Sequence, residues 1–356
     1  MRILFIEYMI TSIFVLMNSN DYKELKNILS TPKNIVIIPH KNPDGDAMGS
    51  TLGLMHYLQQ YNHHITIIAP NEYPEFLHWL PSNDQVVIYD NEIDKAEEII
   101  SNSELIFTLD FNHFGRCGNL QKPLELAKHA TFVMIDHHQQ PDTYAKFTYS
   151  DVSICSTCQM VYHFIENLND LEKINEKIAT CLYTGIMTDT GSFRFRSTSS
   201  TTHRVIANLI DNGAKNASIH ESIYDTNTLS RLQLKGVALN NLKVLPEYKT
   251  AFISLSQKEL NQNGYKKGDT DGFVNIGLSL NDINFAVLFT ENEAEGIIKI
   301  SFRSKGSFSV NKFARTHFEG GGHDNAAGGK SDYELQDTIS KFLSILPSYK
   351  QEIVNS

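Results

Sequence analysis

The stretch Asn34-Ile-Val-Ile-Ile-Pro-His40-Lys-Asn-Pro-Asp44-Gly-Asp46-Ala-Met-Gly-Ser50 decides how the rest of the chain is read. Its opening, NIVIIP (34–39), is a short apolar run of the kind that forms a strand buried on both faces. His40, Asp44 and Asp46 then fall within seven residues, on a turn tightened by Pro43 and Gly45. A helical stretch, AMGSTLGLMHYLQQY (47–61), opens directly behind them. Strand, charged turn and helix in that order are the beginning of a βα unit.

The pattern repeats outward from this segment. ITIIA (65–69), QVVIY (85–89), LIFTLD (105–110) and TFVMID (131–136) are further short runs rich in Ile, Val and Phe, with helical stretches such as KAEEIISN (95–102) between them. The alternation predicts an α/β domain with a doubly wound, mostly parallel sheet. Open sheets of this kind carry their chemistry beyond the carboxyl ends of the strands. Asp44, Asp46, Asp110 and Asp136 are therefore expected to converge, although they are far apart in sequence. From about 155 to 240 the pattern is helical, and after Leu245-Pro246 strands return (TAFISLS, NFAVLFT, GIIKISFRS), followed by a Gly-rich turn and a helix near 333–346. The expected map is a catalytic domain over 20–214, a helical linker over 215–240 and a smaller α/β domain over 241–350.

The first 17 residues, MRILFIEYMITSIFVLM, are apolar but too short for a membrane span, which needs about 20 residues. No small-residue cleavage pattern follows them. Residues 1–19 read as an over-extended start or a disordered N-terminus, and the protein is expected in the cytoplasm, with no membrane partner. The chain has 31 Lys and Arg against 41 Asp and Glu, a formal net charge of −10. That balance argues against coating long nucleic acid, whose binders are normally basic, but not against a small anionic substrate held by a local basic patch. Cys117, Cys155, Cys158 and Cys181 are too few for a disulfide scaffold. The lone Cys155-x-x-Cys158 lacks a second pair and reads as small apolar residues near a helix start.

Each candidate site has a plain structural alternative. Asp46 would serve as a helix N-cap, Asp110 as another cap, and Asp189 in YTGIMTDTGSFRF (183–195) as part of a helix C-terminal turn. Asp136-His137-His138 is harder to explain that way. Three ionisable residues directly after a buried strand are costly to shelter unless paired or bound to metal. The clusters together point to metal. Asp44, Asp46, Asp110 and Asp189 supply four negative charges, which two divalent cations balance, and an oxygen-rich donor set with a few imidazoles favours manganese or magnesium over closed zinc. Two such ions about 3.5–4 Å apart suit phosphoryl transfer. Arg116 is a candidate for gripping phosphate. At the other end, Gly320-Gly-Gly322-His323 reads as a glycine run before a helical start, where backbone N–H groups approach an anion. Lys299, Arg303, Lys305, Lys312 and Arg315 lie in a span without acids (299–317), a local reversal of charge in an acidic protein.

With H-x-x-x-D-x-D, an isolated Asp110, the D-H-H triplet, Asp189 and G-G-G-H in this order, the chain resembles the DHH phosphoesterase family, in the branch with a DHH-associated C-terminal domain. Within it, the chain looks like the nano-RNase and 3′-phosphoadenosine-5′-phosphate (pAp) phosphatase subgroup. The resemblance implies one ion on His40, Asp44 and Asp110, and a second on Asp46, Asp110, His137 and Asp189. Manganese is the implied metal, with magnesium or cobalt as substitutes. It also implies that His138 contacts the scissile phosphate, that Asp136 orients a ligand, and that Arg303, Ser304, Gly321, Gly322 and His323 hold the rest of the substrate. Short RNA or pAp is the expected substrate, and a homodimer is one assembly this allows. Single-strand exonucleases of the RecJ type and cyclic or linear dinucleotide phosphodiesterases are the alternatives on the same scaffold. A nucleotide-binding regulator is the alternative of another class, and the complete metal motifs speak against it.

Overall fold

A computed structural model describes residues 16–356. The expectation for the first residues lies, up to residue 15, outside the described residues. The chain forms two compact units, one running to Thr226 and the other spanning Asn227–Ser356.

The first unit is built on six strands, β1 (Asn34–Ile38), β2 (His64–Ala69), β3 (Val87–Ile88), β4 (Leu105–Leu109), β5 (Thr131–Asp136) and β6 (Phe147–Ser150). They form one sheet in the order β3-β2-β1-β4-β5-β6, and every pairing is parallel. Its helices are α1 (Ser19–Ile28), α2 (Gly45–Leu58), α3 (Ile93–Ser101), α4 (Gln121–Leu126), α5 (Thr157–Asn167), α6 (Glu176–Asp189), α7 (Ser200–Asp211) and α8 (Asn216–Tyr224). Alternate strand residues feed two cores, which is why the strands read as unbroken apolar runs. Ile35, Ile37, Phe107, Val133 and Ile135 pack with α2, α5 and α6, while Val36, Ile38, Ile106 and Phe132 pack on the other face with α3 and α4. The doubly wound α/β architecture is thereby confirmed. Strand order reverses between β1 and β4, and such a switch point opens a crevice at the carboxyl ends of the strands.

The second unit carries α9 (Leu229–Asn240), β7 (Lys243–Leu245), β8 (Thr250–Leu255), α10 (Gln257–Gln262), α11 (Val274–Leu278), β9 (Phe285–Asn292), β10 (Ile297–Ser304), α12 (Val310–His317), β11 (Gly321–His323), β12 (Ala326–Ser331) and α13 (Leu335–Val354). Its sheet runs β11-β12-β10-β9-β8-β7, parallel only between β8 and β9. Phe285, Phe289, Phe302, Phe313 and Phe342 fill one core. The stretch 215–240 holds α8, whose Ile219 and Ile223 join the first unit's core, and α9, whose Leu234 and Ala238 join the second's.

One local expectation is corrected. The glycine run does not precede a helix; it is the edge strand β11, paired antiparallel with β12. A Cβ on Gly320 would stand 2.0 Å from the Gly328 carbonyl oxygen, so the glycines serve close backbone packing in a hairpin. Among the described residues no helix is long and apolar enough to cross a membrane.

Candidate metal centre

The carboxyl ends of β1, β4 and β5 deliver His40, Asp110 and Asp136 to one place. The turn after β1 gives Asp44 two tasks. It is the N-cap of α2, its Oδ1 accepting from Asp46 N–H (3.0 Å) and Ala47 N–H (3.1 Å), while Oδ2 faces His40 Nε2 at 3.9 Å. The cap is Asp44, not Asp46. Asp46 sits one turn position further on, wholly buried, and Asp189 closes α6.

Two donor sets result. His40, Asp44 and Asp110 form one, and Asp46, His137 and Asp189 form the other, each with its donor atoms within 4.8 Å of one another. Asp110 stands between them. Its Oδ2 lies 3.4 Å from His40 Nε2 and its Oδ1 3.4 Å from His137 Nε2. His137 Nε2 lies 3.6 Å from Asp189 and 3.8 Å from Asp46. These separations are long for hydrogen bonds and suit oxygen and nitrogen donors that share a cation at about 2.1 Å from each. The ring orientations fit as well. His40 Nδ1–H donates to the Lys41 carbonyl (2.8 Å) and His137 Nδ1–H to the Ile154 carbonyl (3.2 Å). Both rings therefore turn the Nε2 lone pair inward, the tautomer a metal needs. The residues present fit two divalent ions.

The electrostatics describe a centre short of positive charge. Burial, with Asp110 and Asp189 close by, pushes the Asp46 carboxyl well above the usual carboxylate range. Burial acts the same way on Asp110, but the His137, His40 and His138 rings facing it outweigh burial and hold that carboxyl well below the range. Burial lowers the His137 pKa, yet Asp110, Asp189 and Asp46 reverse the sign and raise it well. Asp110 also sits at φ 65°, a left-handed conformation unfavourable for a side-chain-bearing residue and typical of strained functional positions.

His138 belongs to neither of these donor sets, although its Nδ1 lies 3.6 Å from Asp110 Oδ1. Its Nδ1–H donates to Asp136 Oδ1 at 2.7 Å, and Asp136 is fully buried with its Oδ2 lacking a hydrogen-bond partner. Burial lowers the His138 pKa despite Asp136. Arg116 is half-buried, with Nη1 donating to the Asp110 carbonyl at 3.3 Å.

In the second unit, Arg303 on β10 and His323 on β11 both align with Ala326 on β12, which brings them to one row of the sheet. Ser304 is buried, its hydroxyl donating to the Phe308 carbonyl (2.6 Å) and accepting from Asn325 Nδ2 (2.8 Å). Lys299 pairs with Glu295 at 2.7 Å; Lys305, Lys312 and Arg315 are exposed.

Two supports escaped the sequence reading. The first N–H groups of α5 meet Asp46, Thr157 N–H on Oδ2 (2.6 Å) and Cys158 N–H on Oδ1 (2.9 Å), and the Thr157 hydroxyl donates to Asp110 Oδ1 (2.9 Å). Asn112 Nδ2 donates to the Gln139 carbonyl (2.6 Å), bracing the loop beyond His138. Ser156-Thr157 before an apolar helix was a visible cap signal; its target was not. The four cysteines are buried and unpaired with one another.

The family model for the DHH family N-terminal domain matches residues 34–186, and that for the DHHA1 domain matches residues 248–349. The crystal structure of an exopolyphosphatase-related protein from Bacteroides fragilis superposes with a TM-score of 0.90 at 35% identity, over 94% of this chain and 98% of that one. The chain belongs to the DHH family. Among DHH relatives, the bifunctional oligoribonuclease and PAP phosphatase NrnA of Bacillus subtilis is 29% identical over 86% of this chain and 91% of its own length. NrnA of Thermus thermophilus is also 29% identical, over 90% and 91%. RecJ of Thermus thermophilus shares the fold at TM-score 0.54 and 14% identity, over 95% of this chain and 56% of that one. As a DHH protein with these relatives, the chain is a phosphoesterase.

Proposed function

We propose that this phosphoesterase hydrolyses short oligoribonucleotides to mononucleotides and removes the 3′-phosphate of pAp, with two divalent cations, manganese foremost, held by His40, Asp44, Asp46, Asp110, His137 and Asp189. The observation that carries the reading is the division of the Asp110 carboxylate, one oxygen toward each donor set. The NrnA relatives, similar over most of their length, support the choice of substrate.

When bound, the cations acidify water and neutralise charge on the phosphate oxygens. The chain's own residues do the rest. Asp136 fixes the His138 ring through Nδ1, which leaves Nε2 to meet an oxygen of the scissile phosphate. Arg116 adds a guanidinium at the end of β4, on the Asp110 carbonyl, suited to an anionic oxygen. Arg303, His323 and the backbone of Gly321 and Gly322 bind the part of the substrate remote from the chemistry. Ser304 drops out of that set because its hydroxyl is already engaged on both sides.

The test is a hydrolysis assay on a diribonucleotide, pAp, pyrophosphate and a cyclic dinucleotide, before and after chelation. The first two should be cut, and only with added cation. Full activity after exhaustive chelation would remove the metal mechanism. Preference for pyrophosphate or the cyclic dinucleotide would overturn the substrate assignment.

A further inference from the structure

Directly beyond Asp189 the chain turns through three consecutive left-handed residues, Gly191 (φ 55°), Ser192 (φ 60°) and Phe193 (φ 65°). Only glycine adopts this region freely, and a bulky aromatic there persists when its surroundings over-determine it. They do. Ser192 N–H donates to the Met187 carbonyl (2.8 Å), Phe193 N–H to Thr190 Oγ1 (3.0 Å), and Arg194 and Phe195 N–H both to the Thr190 carbonyl (3.0 Å each). The Phe193 ring turns inward, 5.7 Å from the Tyr183 ring and 6.1 Å from that of His203.

Phe195, two residues on, is left partly open. It is 42% exposed, yet the tip of its ring is seated: a Cβ on Gly191 would lie 2.5 Å from Phe195 Cζ. The Cα of Gly191 is two peptide steps, at most about 7.6 Å, from that of Asp189. An aromatic ring is thus held open to solvent beside the second donor set. Its neighbours Arg194 and Arg196 are exposed, and residues 190–210 include Arg204 as well and no acid, in a protein of net charge −10. An exposed aromatic ring with an arginine on each side in sequence suits a nucleobase carried on a phosphate chain, because stacking accepts every base and the cations favour the backbone.

We propose that Phe195 is a stacking platform for a nucleobase of the substrate, flanked by Arg194 and Arg196, and that it favours nucleotides over base-free phosphates. The inference rests on the oligonucleotide reading above.

The experiment compares wild type, Phe195→Ala and Phe195→Tyr on a diribonucleotide and on an abasic analogue of the same length. Phe195→Ala should raise KM for the dinucleotide roughly 5- to 150-fold, with a much smaller change in kcat. Phe195→Tyr should stay near wild type, and KM for the abasic analogue should not move. An unchanged dinucleotide KM, or an equal rise for the abasic analogue, would overturn the platform. So would a change of oligomeric state, read by sedimentation, as the only effect. A wild-type protein that leaves dinucleotides uncut would refute the substrate reading instead. Calorimetric titration with adenosine 5′-monophosphate then still decides the platform, since Phe195→Ala should weaken that binding by a similar factor and equal binding would overturn it.

Discussion

Asp46 lies in the first turn of α2 and Asp110 at the end of β4, and one uncharged residue fixes both. Thr157 gives its N–H to Asp46 and its hydroxyl to Asp110, and it is wholly buried, so neither bond competes with water. Partners of this kind orient metal donors, and losing one typically costs 10- to 100-fold in metal affinity. Thr157→Val keeps the N–H and the shape but removes the hydroxyl. Manganese affinity, titrated by calorimetry, should fall about 10- to 100-fold, whereas Thr157→Ser should retain it. Melting of the metal-free variants separates this from a loss of fold. Equal affinity in Thr157→Val and wild type would mean that the strand ends alone set the geometry. The candidate donors that the structure brings together were legible because each is an ionisable residue at or just beyond the end of an apolar run. Thr157 was not, since it meets Asp46 across 111 positions of sequence and no local spacing records that pairing.

The helices behind the strands carry a second layer of the design. All of α2 is buried, pressed against α5 and α6. The approach is so close that a Cβ on Gly185 of α6 would stand 2.1 Å from Cys158 Sγ and 2.9 Å from Asp46 Oδ1. Gly185→Ala should therefore destabilise by about 1–3 kcal/mol or more, as overpacking does, and should also weaken cation binding by displacing Asp46. Thermal melting and metal titration on one sample check both. An unshifted melting temperature would show that the helix pair yields at little cost. Element type was readable for β1, β2, β4 and β5, whose two covered faces leave continuous apolar runs. It was weaker for β3, where only Val87 and Ile88 pair with β2, and it failed for β6, an edge strand of four residues, FTYS, too short for its alternation to stand out. It failed again at β11, because glycine carries no strand propensity and the pairing with β12 is set by backbone fit.

At the scale of the whole molecule, substrate length is a matter of charge. A net charge of −10 repels a long polyanion everywhere except where the sign reverses locally. Two such spans hold arginines suited to phosphate. One is the acid-free span 190–210 with Arg194 and Arg196; the other is 299–317, where Lys299 is matched by Glu295 and Lys305, Lys312 and Arg315 are exposed. Single-strand binding gains about 0.7 units of salt slope per phosphate neutralised, so a short substrate that uses a few contacts should bind with a shallow dependence on salt. Each phosphate beyond them meets acidic surface and adds repulsion without attraction. RNAs of about two to five nucleotides should therefore be cut far faster than long strands, a limit set by the few phosphates that local patches neutralise. Rates on a dinucleotide and a 24-mer, at equal concentration of ends and equal salt, test this directly. Raising the salt should narrow the gap, because screening weakens the repulsion of the distant phosphates more than the close contacts. A 24-mer degraded faster than the dinucleotide would mean that the chain draws in long strands against its own field, as a processive exonuclease must, and the short-substrate assignment would fall.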